Sequence, residues 1–236
     1  MGVIHPSHRK TTMTGCERCN LKPECLPSEL SGTRLVRFER ELIRQYGPIE
    51  RGAALVRQGD PMHSLYTLYS GSLKETVIQP NGAERVLGFR FPGAIIGLAE
   101  PDQKNWTRKL IALEITWYCE IPIRVLDDMM NRHLIRLMRN RLLAEYETHL
   151  TAMASGTCRV ASFLLHISTR ITPGGQRIRH FRLPMPYSDI ANHLRLWPES
   201  LSRIFKQLSK QGLILKSGHQ IELVDVESLR LMTAMD

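Results

Sequence analysis

The spacing of apolar residues divides the chain into four stretches of different character. Residues 1 to about 30 carry many turn formers and show little periodicity. Apolar residues at helical spacing then predict a short helix that ends before "YGPIERG": Leu35, Phe38, Leu42 and Ile43. Between Pro48 and Pro122, short β-rich runs alternate with glycine turns, and Asn81-Gly82 has the composition of a hairpin turn. The β-rich runs between Pro48 and Pro122 predict a β-sandwich or β-roll.

A helical period begins near Leu126 and continues to about Ser155. Its most regular positions are separated by alternating steps of three and four: Ile135, Met138, Leu142, Glu145, His149 and Ala152. Such a heptad seam predicts a long helix that pairs with its copy in a parallel homodimer, and the alternative is a helix packed on its own β domain. Glu145 would face its twin in the dimer, where two like charges repel, unless it points outward at the seam's edge.

The fourth stretch predicts helices followed by a β-hairpin. "RVASFLLHISTRI" is a helix ended by "PGGQ", and "SDIANHL" is a second helix with Ser188 as its N-cap. "PESLSRIFKQLSKQG" places Pro198 in the first turn and Gly212 just past the end. "LILK", "SGHQ" and "IELV" form the hairpin. Two helices joined by a turn and followed by a hairpin are typical of a winged helix-turn-helix, so the predicted fold class is α+β.

The second helix of this pair has the chemistry of a DNA-reading helix. Glu199, Ser202 and Arg203 share its N-terminal face, and Lys206 and Lys210 continue that face. Arginine can pair with guanine, glutamate can accept from cytosine and serine can reach a base or a phosphate. The net charge is +9, and about five of these positive charges lie in residues 157–236. We therefore expect double-stranded DNA as the partner, rather than an anionic membrane surface or dispersed solvated charge.

The cysteines point to metal or redox chemistry. "CERCNLKPEC" holds three of the five cysteines, whereas zinc and iron-sulfur sites usually have four ligands. No apolar run approaches the ~20 residues of a membrane span, and the N-terminus lacks a secretory signal. We therefore expect a cytoplasmic protein with reduced thiols and no membrane partner. A redox enzyme is the alternative class, but phosphate loops, H-E-x-x-H and a nucleophile elbow are missing from the sequence, which favours a non-enzyme.

A family resemblance connects these stretches. "SDIANHLRLWPESLSRIFKQLSKQGLI" resembles the DNA-binding segment of the CRP/FNR superfamily of bacterial transcription regulators, and "GDPMHSLYTLYSGSLKE" is similar to a hairpin in its cyclic-nucleotide-binding-like β-roll, a jelly roll. The resemblance covers nearly the whole chain. It implies four parts in order: a cysteine segment (1–30), a β-roll sensor domain (31–125), a dimerisation helix (126–155) and a winged helix-turn-helix domain (156–236).

The closest resemblance is to the FNR-type oxygen sensors, which carry C-x2-C-x5-C and a distant cysteine followed by "EIP". The matching residues are Cys16, Cys19, Cys25 and Cys119. Taken alone, Cys119 would be a buried small residue, and Cys158 is expected to be a packing residue. The resemblance implies a 4Fe-4S cluster on the four matching thiolates, degraded by oxygen, with zinc as the alternative. Intact clusters would favour the dimer.

The resemblance also implies the DNA target and further partners. Glu199, Ser202 and Arg203 match an E-x-x-S-R pattern that reads TTGAT-like half-sites, and RNA polymerase would be contacted by an activator of this type. The alternative function is a zinc-stabilised or ligand-independent CRP-type regulator. Two positions depart from the family: Arg195 replaces a turn glycine, and Trp197 replaces a hydroxyl N-cap.

A cyclic nucleotide is not an expected ligand. The family's nucleotide-binding cassette uses glycine, glutamate and arginine at a set spacing. Glu100 and Arg108 do not have this spacing. We expect Arg108 to begin a strand as an exposed charge.

Overall fold

The computed structural model describes residues 9–10, 16–21, 25, 32–41, 44–98, 104–123, 155–172 and 176–234. The predicted heptad helix lies outside the described residues except for Ser155, as do Glu100 and the seam positions Ile135, Met138, Leu142, Glu145, His149 and Ala152. The short N-terminal helix forms as α1 (Gly32–Glu41), and its Leu35 is buried against the roll. A 3-10 turn, Cys16–Arg18, precedes it.

Two antiparallel sheets form the predicted β-roll. Its strands are β1 (Arg9–Lys10), β2 (Arg44–Ile49), β3 (Ala54–Val56), β4 (Ser64–Ser70), β5 (Leu73–Ile78), β6 (Glu84–Arg90), β7 (Ile95–Ile96), β8 (Lys109–Ala112) and β9 (Thr116–Pro122). One sheet has the order β1-β2-β9-β4-β7 and the other β3-β8-β5-β6. Both contribute to one apolar core, with Leu65, Leu73, Leu110 and Ile121 almost completely buried.

The Asn81-Gly82 hairpin turn between β5 and β6 is confirmed. Gly82 has φ +82°, a left-handed conformation that glycine adopts without steric penalty. The Gln79 amide donates to the Ala83 carbonyl at 3.0 Å, and the Ala83 amide donates to the Asn81 side chain at 3.0 Å. These bonds hold the sheet register at its exposed end.

The C-terminal part is a winged helix-turn-helix. Its elements are α2 (Gly156–Arg170), β10 (His180–Arg182), α3 (Tyr187–His193), α4 (Pro198–Lys210), β11 (Ile214–Ser217), β12 (Gln220–Leu223) and α5 (Val226–Ala234). The Ser155 hydroxyl caps α2 by accepting from the Thr157 amide at 3.2 Å. The predicted hairpin β11–β12 is present, and β10 adds a third strand beside β12 that sequence patterns did not predict.

The helix-turn-helix packs against the outer face of the β3-β8-β5-β6 sheet. Val86, Phe89 and Leu113 of the roll belong to the same apolar core as the C-terminal helices. The Asn192 side chain of α3 accepts from the Val86 amide at 2.7 Å and donates to the Glu84 carbonyl at 2.9 Å. These contacts fix the orientation of α3 on the roll.

Two expectations about single residues are wrong. The N-cap of α3 is Pro186 rather than Ser188, because proline's restricted φ already suits the extended cap conformation (φ −62°, ψ 152°). Arg108 is not an exposed charge: its side chain is 16% exposed and ion-paired with Glu75, since the register of β8 brings it beside β5. Within the described ranges, no helix is long and apolar enough to cross a membrane.

Candidate functional site

Local hydrogen bonds fold the C-x2-C-x5-C segment into consecutive turns. The Cys19 amide donates to the Cys16 carbonyl at 3.2 Å, and the Cys25 amide donates to the Leu21 carbonyl at 3.0 Å. Leu21 and Cys16 are buried. The first part of the segment is therefore anchored by two buried residues, Cys16 and Leu21.

Cys119 lies in the centre of the sheet beside this segment. It is buried in β9 and pairs with Gln45 on one side and with Thr67 of β4 on the other. The Cys25 thiol lies 3.8 Å from the Thr67 hydroxyl. Cys25, which is far from Cys119 in the sequence, therefore contacts Thr67, the residue that pairs with Cys119 in the sheet.

The four thiols also influence one another electrostatically. The pKa of Cys16 is raised to about 12, mainly by burial and to a smaller extent by negative charge on Cys119, Glu39, Cys25 and Cys19. Neighbouring thiolates that repel in this way need a cation to stay deprotonated together. This donor set fits a thiophilic metal centre chemically. As they stand, however, the described side chains include no group of three or more His, Cys, Asp or Glu arranged to hold a metal ion.

Cys158 has a different environment from the other four cysteines. It lies in α2, and its thiol donates to the Met232 carbonyl of α5 at 3.0 Å. This contact joins two helices of the C-terminal part, as expected of a packing residue.

The recognition helix α4 buries one face and exposes the other. Leu201, Phe205 and Leu208 face the core at steps of four and three. The predicted DNA-reading residues share the exposed face: Glu199, Ser202, Arg203, Lys206 and Lys210. Gln207 and Gln211 join Arg203 in a shallow surface depression. Sequence reasoning missed these two glutamines, although their spacing of four and eight from Arg203 marks the same face.

The turn before α4 has the two departures expected from the sequence. Arg195 adopts φ +55°, a left-handed conformation that disfavours a side-chain-bearing residue by about 1–2 kcal/mol. Trp197 occupies the N-cap of α4, makes no side-chain cap hydrogen bond and is 78% exposed. Pro198 is the first helical residue, as predicted. A large apolar ring is therefore exposed at the N-terminal end of α4.

The wing is attached to α3 through Tyr187. The Tyr187 ring stacks on His219 at 4.8 Å between centroids, and its hydroxyl donates to the Gly218 carbonyl. The Lys216 ammonium lies 4.8 Å from the centre of the same ring. Because both the turn and a cation of the wing contact α3, the wing has a defined position beside the recognition helix.

Comparison with known proteins supports this architecture. Residues 48–133 match the cyclic nucleotide-binding domain family, and residues 158–232 match the Crp-like helix-turn-helix domain family. The transcriptional activator protein anr of Pseudomonas aeruginosa is 33% identical over 218 residues, which cover 89% of this chain and 88% of that protein. The chain belongs to the CRP/FNR family of transcription regulators.

Further relatives agree with the CRP/FNR assignment. The fumarate and nitrate reduction regulatory protein of Vibrio cholerae is 30% identical, covering 89% of this chain and 86% of that protein. FixK2 from Bradyrhizobium japonicum has the same fold, with a TM-score of 0.71 and 21% identity over 81% of this chain and 97% of that chain. The CRP/FNR chain is therefore a DNA-binding transcription regulator and not an enzyme.

Proposed function

We propose that this CRP/FNR regulator is an oxygen-responsive activator that holds a 4Fe-4S cluster on Cys16, Cys19, Cys25 and Cys119. The observation that carries the proposal is the position of Cys25, whose thiol contacts Thr67, the strand partner of Cys119. The relatives named for fumarate and nitrate reduction and for anaerobic regulation support the same proposal.

The four cysteines would connect the N-terminal segment to the sheet of the roll. Cys119 is held rigidly in β9, whereas the other three lie on turns. When bound, the cluster would supply a group that oxygen can degrade. Without a cation, the Cys16 thiol would be protonated, because burial and the nearby cysteines raise its pKa. The connection between segment and sheet is then lost.

Dimerisation would transmit this change to DNA. We infer a parallel dimer from the heptad spacing of Ile135, Met138, Leu142, Glu145 and His149, which lie outside the described residues. Glu145 opposite its twin would weaken the dimer. We expect Glu145→Ala to raise the dimer fraction in air, measured by sedimentation velocity, whereas Glu147→Ala, off the seam, should not. An unchanged equilibrium for Glu145→Ala would remove this residue from the switch.

The dimer would present two recognition helices to half-sites roughly 34 Å apart. Glu199, Ser202 and Arg203 would read the bases of a TTGAT-like half-site, and Lys206 would contact the phosphate backbone. We further propose that exposed roll loops, including the turn around Asn81, contact RNA polymerase.

The deciding experiment is anaerobic purification followed by iron, sulfide and zinc determination. We expect about four irons and four sulfides per chain in the wild type and in Cys158→Ala, and loss of both elements in Cys119→Ala. Gel-shift titration of a TTGAT palindrome should show binding that air abolishes. A colourless protein with one zinc per chain would contradict the oxygen sensor and favour the zinc-stabilised regulator.

A further inference from the structure

Three charged side chains lie on the inner face of the β3-β8-β5-β6 sheet. Leu73 of β5 pairs with Arg90 of β6, and Glu75 pairs with Leu110 of β8. Leu73 and Leu110 belong to the core between the two sheets. Directly paired residues share a face, as do residues two apart, so Glu75 and Arg90 face the roll interior. Arg108 lies two residues before Leu110, and its side chain faces the roll interior as well, where it contacts Glu75.

Glu75 contacts both arginines through different oxygens. Its Oε1 accepts from Arg108 Nη1, and its Oε2 forms an ion pair with Arg90 Nη2. The Glu75 side chain is 4% exposed, compared with 25% for Arg90 and 16% for Arg108. Burial alone would raise the pKa of Glu75, but the two guanidinium groups lower it overall. The carboxylate is therefore ionised, and each of its two oxygens contacts one guanidinium group.

This arrangement has consequences for ligands of the roll. Residues 48–133 match a domain family named for cyclic nucleotides, whose phosphodiester is a monoanion that arginine binds well. Here Glu75 already supplies an anion to both guanidinium groups. A phosphate could take its place only if Glu75 became an unpaired charge in the interior, which is strongly unfavourable.

We propose that Glu75 is a built-in counter-ion, which occupies the anion position between Arg90 and Arg108 and closes the roll to phosphate-bearing ligands such as cyclic nucleotides. The role depends only on contacts inside the roll. It is therefore independent of the cysteine cluster, and iron content does not bear on its test. Glu75 is thus the residue that prevents phosphate-bearing ligands from binding inside the roll.

Glu75→Gln keeps the side chain's shape but removes the negative charge that contacts both guanidinium groups. Thermal unfolding of this variant is measured in sodium chloride, in inorganic phosphate and in cyclic AMP at equal ionic strength. We expect a lowered Tm in chloride that phosphate or cyclic AMP restores, and calorimetric cyclic AMP binding at least tenfold tighter than that of the wild type. Glu114→Gln is the matched control, because Glu114 accepts from the Ser72 hydroxyl at 2.7 Å on the same roll.

The response to anions decides the outcome. If Glu75→Gln is unfolded in chloride, refolding in phosphate or cyclic AMP supports the proposal, and failure to refold in either overturns it. If the variant is folded, a Tm that responds to anions no more than that of Glu114→Gln overturns it as well. Cyclic AMP binding by the wild type as tight as by Glu75→Gln would also contradict a closed site. Adding Arg108→Gln to Glu75→Gln should abolish the anion-specific rise in Tm.

Discussion

His193 is a buried histidine at the contact between the roll and α3. Its ring lies 5.4 Å from the Phe89 ring and 6.0 Å from the Phe163 ring, measured between centroids. The pKa of His193 is lowered to about 4, and burial is the largest cause. Other groups around it shift the pKa less, upward through a backbone hydrogen bond with Val86 and downward through positive charge on Arg85, Arg90 and His166. The folded protein therefore holds His193 neutral at physiological pH.

The stability of the fold should consequently decrease in mild acid. Above pH 6.5 the histidine is neutral in both states, but between pH 6.5 and 4 only the unfolded chain binds a proton. We expect the free energy of unfolding, from urea titrations, to fall by about 2 kcal/mol between pH 7 and pH 5 because of this residue.

Histidine variants isolate this contribution. His193→Leu should remove that part of the pH dependence. His180→Gln, at a side chain that is 73% exposed, should leave it in place. Equal pH dependence in the wild type and His193→Leu would show that His193 is not the group responsible.

Candidate roles of residues could be inferred from the sequence where the pattern is local. The spacing of Cys16, Cys19 and Cys25 predicts a metal-binding segment, and this role stays a prediction. Cys119 entered only through the family resemblance, and the Thr67 contact with Cys25 depends on the pairing of β4 with β9. Arg108 was mispredicted for the same reason, since its partner Glu75 lies on a neighbouring strand 33 residues earlier.

At the scale of elements, the proposed function assigns base reading and phosphate contact to different residues on the exposed face of α4. Arg203→Gln should weaken binding to the preferred half-site by about 1–3 kcal/mol and relax selectivity at one base pair. Lys206→Gln should instead weaken binding to all sequences similarly and reduce the slope of log K against log salt by about one. Fluorescence anisotropy with matched and mismatched duplexes at several salt concentrations measures both effects.

A control for this comparison is Arg170→Gln, at an exposed arginine that ends α2 outside the recognition helix. It removes the same charge as Arg203→Gln and should change neither selectivity nor salt dependence appreciably. If Arg203→Gln lowered affinity for every duplex equally, Arg203 would be a backbone contact rather than a base-reading residue.

Element types were predictable from the sequence more readily than element ends and short strands. The period of α4 and the Asn81-Gly82 turn are local patterns, and both are present in the structure. The start of α3 differs because Pro186 competes with Ser188 for the N-cap. β10 has three residues, and its identity depends on pairing with β12 about 40 residues later, which no local pattern records.

At the scale of the whole molecule, the contact of α3 with the roll could not be predicted from either part alone. Val86 and Phe89 are three residues apart in β6, so strict alternation would place them on opposite faces, but the register of β5 and β6 shifts between them. The structure shows that the helix-turn-helix covers the outward face on which both side chains lie. Beside this apolar contact, the Lys74 Nζ atom of the roll lies 3.1 Å from the Asp189 Oδ2 atom of α3. Since α3 also contacts the wing through Tyr187, the C-terminal part is connected to the β3-β8-β5-β6 sheet through α3.

Asn192 is the polar centre of that contact. Asn192→Ala would remove the side-chain partner of the Val86 amide and of the exposed Glu84 carbonyl, so we expect the free energy of unfolding to fall by about 1 kcal/mol. Asn192→Asp retains the acceptor for Val86 but places negative charge beside the Glu84 carbonyl. Hydrogen exchange at the Val86 amide should therefore accelerate strongly in Asn192→Ala and less in Asn192→Asp. Wild-type exchange in both variants would show that the Asn192 side chain is not needed to hold α3 to the roll.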